Sequence, residues 1–281
     1  MKTIALTAAA LLGLLACTHT VAPSVPAGAR YVNMGSSFAA GSGTGASPPG
    51  AVARCYQSAV SYARLLAGRL SLSLDDVSCG GATSAHVLGA WNELPPQIDA
   101  VTAETRLVTI TVGGNDLGFA GNLIAASCDP GEVVRVAGMS VPCPPQRAAP
   151  EDAYARLAEN MNEIARQVAA RAPQARLIFI QYVTLVPATQ CPNSRLSEDE
   201  AAALRGIARR LAEITAHAAE TNGASVLRVD LASAGHTPCD SDPWSVGFPR
   251  DYDETQGAPW HPNKRGMEAI AAQLEAALSR R

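Results

Sequence analysis

Residues 31–43 read YVNMGSSFAAGSG, a short apolar run that breaks into a loop made almost wholly of Gly, Ser and Ala. Two devices fit that outline. One is a loop whose backbone amides hold a phosphate; the other is a turn that presents a serine as a nucleophile. What surrounds the stretch has to choose between them.

Outward from it, apolar runs alternate with longer helical patterns. Strands are expected at Tyr31–Met34, Leu74–Ser78, Leu107–Val112, Leu177–Tyr182 and Ser225–Leu231. Several are continuous Val/Ile/Leu runs, as in parallel strands buried on both faces. Helix patterns occupy Ser58–Leu70, Glu151–Ala172 and Ser197–Thr221. A last helix follows Pro262, with Met267, Ile270, Ala271, Leu274 and Leu278 at helical spacing. This alternation predicts a three-layer α/β/α sandwich around a mostly parallel sheet. Ligands of such sheets sit at the carboxyl ends of the strands, so the loops after Met34 and Val112 share the functional edge. The Pro-rich segment 127–150 holds two cysteines and reads as a stapled insertion that shapes the pocket.

The phosphate device fails on its partners. No Lys or Arg stands between Ser36 and Gly50 to reach a phosphate, and no Asp or Glu stands between Arg30 and Asp75 to hold a ribose. With 17% charged residues, a net charge of -3 and no basic run, the footprint of a nucleic-acid binder is missing as well.

A serine nucleophile needs a base, a group to orient that base, and donors for an oxyanion. Five histidines are present. His19 lies near the amino terminus, His86 in a helical stretch and His217 within a long helix, where a solvated or packed role is the ordinary one. His236 and His261 lie in loops near the carboxyl end. His261 stands in Ala258-Pro259-Trp260-His261-Pro262-Asn263 directly before the last helix, with Pro262 expected as its first residue. Oxyanion donors are offered by Thr111-Val112-Gly113-Gly114-Asn115-Asp116 and Cys79-Gly80-Gly81-Ala82-Thr83, each following a strand.

The amino terminus, MKTIALTAAALLGLLAC, pairs one positive charge with an apolar stretch from Ile4 to Leu15. That falls short of the ~20 apolar residues a membrane-spanning helix needs, and reads as an export signal over residues 1–16. Leu14-Leu15-Ala16-Cys17 resembles a bacterial lipobox, in which the Cys is acylated. An ordinary cleaved signal with Cys17 incidental is the alternative. Residues 17–29 then form a Pro-rich tether, and 30–281 the domain. Seven cysteines leave one over in an exported chain. If Cys17 carries lipid, Cys55, Cys79, Cys128, Cys143, Cys191 and Cys239 can form three bridges in any of 15 pairings. The sequential pairing closes the shortest loops.

Taken in order, Gly35-Ser36-Ser37, Gly81, Asn115 and His261 resemble the blocks of the GDSL/SGNH hydrolase family, whose sandwich is flavodoxin-like. The resemblance runs from Tyr31 to the carboxyl end and is nearest to secreted actinobacterial esterases and lipases. It implies Ser37 as nucleophile, His261 as base, and an oxyanion hole from the Ser37 and Gly81 N–H groups and the Asn115 side chain. It also implies sequential disulfides and a structural role for His236. Two departures stand out. The acidic residue beside the nucleophile is Ser36, and the carboxylate three residues before the histidine is Ala258. In some relatives a backbone carbonyl at that place orients the imidazole, so the Ala258 carbonyl is expected to do so, with Asp251 or Asp253 as alternatives. The implied activity is hydrolysis of a small-molecule or lipid carboxylic ester, without metal or organic cofactor. The enzyme is expected to be a monomer held to the outer face of a bacterial cell membrane through Cys17, or secreted. Two other readings stay open: an O-acetyl esterase of carbohydrate or cell wall, and a lipid-anchored binding protein without catalysis.

Overall fold

A computed structural model describes residues 25–129, 131–136 and 139–279. The expected export signal and Cys17 lie outside these residues. The carboxyl end of the expected tether does not hang free. Val25 packs on the core and Ala29 is buried, while the Gly28 N–H donates to the Ser71 carbonyl at 2.7 Å.

The main sheet holds five strands: β1 (Arg30–Gly35), β2 (Ser73–Asp76), β3 (Thr105–Thr111), β6 (Arg176–Ile180) and β7 (Ser225–Leu227). All pairings in it are parallel, in the order β2-β1-β3-β6-β7. A separate hairpin pairs β4 (Val133–Val136) with β5 (Met139–Pro142), so the main sheet has the 2-1-3-4-5 order of flavodoxin-like folds. Tyr31, Val32 and Met34 of β1 and Leu107, Val108 and Ile110 of β3 are buried. Only strands covered on both faces hide consecutive side chains in this way.

The helices fall into two groups. Helix α2 (Tyr62–Leu70) packs on α8 (Lys264–Ser279). Helix α5 (Glu151–Arg171) packs on α6 (Glu198–Thr221), with α3 (Ser84–Leu88) and α4 (Phe119–Ala126) beside them. Two short helices complete the set, α1 (Ser37–Ala40) and α7 (Val229–Ala232). A buried polar chain ties the central strands. The Tyr31 hydroxyl meets Thr109 Oγ1 at 2.6 Å, Thr109 donates to Asn33 Oδ1, and Asn33 donates to Asp76 Oδ1. Burial raises the Asp76 pKa despite those partners and Arg64.

Several boundaries differ from expectation, among them the start of α2, at Tyr62 instead of Ser58, and the end of β6, at Ile180 instead of Tyr182. Strand β2 stops at Asp76, because the Asp76 carboxylate caps Ser78 and turns the chain. Strand β7 stops at Leu227, and the apolar residues beyond it wind into α7. Helix α8 starts at Lys264 instead of Pro262. Asn263 accepts the Gly266 N–H at 2.9 Å, which makes it the helix cap, while Pro262 bridges to Ser245.

Candidate active site

The turn that carries Ser37 is built on a glycine that no other residue could replace. Gly35 has φ +123°, and a Cβ there would sit 2.2 Å from the Thr111 carbonyl oxygen of the neighbouring strand. Gln97, buried across from it, accepts the Gly35 N–H at 2.6 Å and donates to the Gly35 carbonyl at 3.0 Å. The Gly35 carbonyl also accepts the Cys79 N–H at 3.0 Å, so both backbone groups of Gly35 are satisfied before the chain enters α1. Ser36 precedes the helix in extended conformation. Its buried hydroxyl lies 3.4 Å from the Tyr182 hydroxyl and 3.5 Å from the Thr111 carbonyl. Ser37 is the first residue of α1, so its N–H has no partner within the helix.

His261 reaches this point from the other end of the chain. Its Nε2 lies 2.8 Å from Ser37 Oγ. Its Nδ1 lies 2.8 Å from the carbonyl oxygen of Pro259. The expected Ala258 carbonyl is thus not the orienting group; it accepts the backbone N–H of His261 at 3.2 Å. The reason is Trp260, which has φ +56° and folds the chain back so that the ring lies over its neighbour but one. The Trp260 indole is buried and donates to Ser127 Oγ at 3.0 Å, which holds the unusual backbone in place. A carbonyl can only accept, so Nδ1 carries the proton and Nε2 faces Ser37 as a lone pair. Burial pushes the His261 pKa below the ordinary histidine value, and the Pro259 carbonyl opposes that in part. The Phe38 ring covers the imidazole at 4.7 Å and packs on Tyr182 at 4.4 Å.

The alternatives for orientation point elsewhere. Asp253 accepts the Thr255 N–H at 2.9 Å and its hydroxyl at 2.7 Å, and Asp251 is exposed. Of the other described histidines, His86 stacks on Trp91 and His236 on Trp244, while His217 is exposed on α6.

Gly81 has φ +84°, and its N–H donates to no group among the described residues. The Asn115 amide donates to the carbonyl of Ala82, the next residue, at 2.9 Å. The loop bearing Asn115 is held on both sides. The Gly114 N–H donates to the Tyr182 hydroxyl at 2.9 Å, and Asp116 accepts the Ser84 N–H and hydroxyl. Burial pushes the Tyr182 pKa to about 12, so it stays a neutral hydroxyl.

Ser37, Gly81 and His261 open into one cleft of about 680 Å³. It is larger than the cavity beside α6 (about 470 Å³) and the one behind Cys55 and Cys79 (about 400 Å³). Its walls come from Ser42–Gln57 and Tyr252–Ala258. The insertion at 127–150 lines none of it among the described residues. That segment instead supports the His261 loop from behind, through Ser127 on Trp260 and an Asp129–Arg250 ion pair. Disulfides join Cys55 to Cys79, Cys128 to Cys143 and Cys191 to Cys239.

A profile described as the GDSL-like Lipase/Acylhydrolase family matches residues 34–269. The chain belongs to that family. It is similar to Lipase 2 of Streptomyces coelicolor, 32% identical over 92% of this chain and 90% of that protein. A lipase of Streptomyces rimosus is 29% identical over 84% of this chain and 82% of its own length. The same fold is seen in phospholipase A1 from Streptomyces albidoflavus, at TM-score 0.69 and 24% identity, covering 89% of this chain and 99% of that one. As a GDSL-family lipase/esterase, this chain is a carboxylic ester hydrolase. Gln97, Tyr182 and Phe38 carry no mark in the sequence, because each acts through a contact made only once distant strands are in register, and Pro259 carries none because its contact depends on the left-handed Trp260.

Proposed function

We propose that the chain is an exported serine esterase or lipase working through an acyl-enzyme. His261 Nε2 takes the Ser37 hydroxyl proton as Oγ attacks the ester carbonyl. The oxyanion forms against the N–H groups of Ser37 and Gly81 and the free N–H of the Asn115 amide. The carbon–alcohol bond then breaks, and His261 returns its proton to the leaving oxygen. Water, deprotonated by His261, attacks the Ser37 ester, and His261 returns that proton to Ser37 Oγ as the acid leaves. The Pro259 carbonyl holds the ring and stabilises the imidazolium less than a carboxylate would. The observation that carries this reading is the 2.8 Å approach of Ser37 Oγ to His261 Nε2.

The test is labelling by a fluorophosphonate probe together with hydrolysis of a p-nitrophenyl ester. Both are expected in the parent protein and lost in Ser37→Ala. A Ser37→Ala protein that keeps the parental rate, or a parent that forms no adduct, overturns the mechanism. Export and lipidation rest on the export-type amino terminus and on three disulfides that leave Cys17 over. Incorporation of labelled palmitate in a bacterial host, lost in Cys17→Ser, is the expected result.

A further inference from the structure

We infer that Tyr56 forms the acyl-binding wall of the cleft and selects esters of longer apolar acids over acetyl esters. The inference rests on the ester-hydrolase reading above. In that chemistry the reacting carbon has three directions besides Ser37. The oxyanion points at Gly81, and the leaving oxygen must face His261, whose loop supplies the wall from Tyr252 to Ala258. The acyl chain takes the third direction, along Ser42–Gln57.

On that wall Tyr56 is the one large side chain free to meet a ligand. Gln57 is drawn away, donating to the Asp76 and Ser78 carbonyls at 2.8 Å each. The other cleft tyrosine is engaged too, Tyr252 donating its hydroxyl to Gly257 and packing edge-on against Phe248. Tyr56 is 48% exposed, and no ring or guanidinium among the described residues stacks on it.

The backbone holds Tyr56 there against its preference. Its φ is +49°, a region costly for a bulky residue, taken here as the left-handed cap of the one-turn helix Ala53–Cys55 with its N–H on the Ala53 carbonyl. The neighbouring Cys55–Cys79 bridge and the Ser42 hydroxyl, 3.1 Å from the Tyr56 carbonyl, keep that conformation. The ring lies across Gly80, where a Cβ would come within 3.1 Å of Tyr56 Cδ2. The aromatic face therefore borders the oxyanion loop directly.

The experiment is a panel of p-nitrophenyl esters from acetyl to palmitoyl, run on the parent, Tyr56→Ala and Tyr56→Phe. Apolar contacts of this size shift selectivity by about tenfold or more. In Tyr56→Ala the octanoyl-to-acetyl ratio of kcat/KM is expected to fall about tenfold, and in Tyr56→Phe to stay within about twofold. A ratio unchanged in Tyr56→Ala, with thermal melting like the parent, overturns the inference. So does an equal loss at every chain length. Because the ratio is read only if the parent hydrolyses esters, a parent without activity fails the function proposal instead.

Discussion

The imidazole of His261 is oriented by the carbonyl of Pro259, two residues before it, at 2.8 Å from Nδ1. As the proposed base, His261 takes its tautomer from its own loop, with no carboxylate from elsewhere on the ring. Asp251→Asn and Asp253→Asn are each expected to keep kcat/KM for a p-nitrophenyl ester within about fivefold of the parent. A loss near the 10⁴-fold effect of removing a triad carboxylate would show that one of them turns to the ring in the reacting enzyme.

Burial lowers the His261 pKa, with the Pro259 carbonyl the opposing influence. The base is neutral down to a more acidic pH than an ordinary histidine. The acid limb of kcat/KM is expected to have its midpoint below 6.5, the ordinary value. Linkage has a definite sign here. The folded pKa lies below the unfolded one, so the unfolded chain takes up the proton first. That part of the stability is complete above the unfolded pKa and is lost as pH falls toward the folded one. Urea midpoints should thus drop on acidification through that window, and drop less in His261→Gln. An acid limb above 6.5 would contradict the burial argument.

One N–H of the Asn115 amide donates to the Ala82 carbonyl, and in the proposed mechanism the other meets the oxyanion. Asn115→Ala is expected to lower kcat by about 10²–10³-fold with KM little changed, the mark of a contact made in the transition state. A rise in KM at constant kcat would place Asn115 in ground-state binding.

The sheet and the two ends of the site were legible for a simple reason. β1 and β3 are covered on both faces, and their continuous apolar runs stop at the loops that carry Ser37 and Asn115. Contacts set by backbone conformation were not legible. Trp260 at φ +56° decides which carbonyl meets His261, and a Trp gives no warning of a left-handed turn. Gln97 holds the nucleophile turn, yet Pro96-Gln97-Ile98 carries no local pattern. In Ser225–Leu231, after Val226, the apolar residues Leu227, Val229 and Leu231 alternate with Arg228 and Asp230, a period-2 pattern that predicts one strand and hides the turn into α7.

The Cys55–Cys79 bridge couples stability to activity. It joins the residue before Tyr56 to the residue before Gly80-Gly81, across a separation of 24 residues. Loop closure of that length in the unfolded chain is worth about 3–4 kcal/mol in the entropy model. The bridge also packs with Ala82 against Trp91 and Leu94, so it fixes the direction of the Gly81 N–H. A Cys55→Ser, Cys79→Ser protein is expected to lose about that much stability in urea titration. At a temperature where it is still folded, its kcat should fall while fluorophosphonate labelling of Ser37 slows. The corresponding change at Cys191 and Cys239, neither of which lines the cleft, should lower stability without that loss of kcat. Equal effects of the two double substitutions on kcat would mean that the first bridge acts on folding alone.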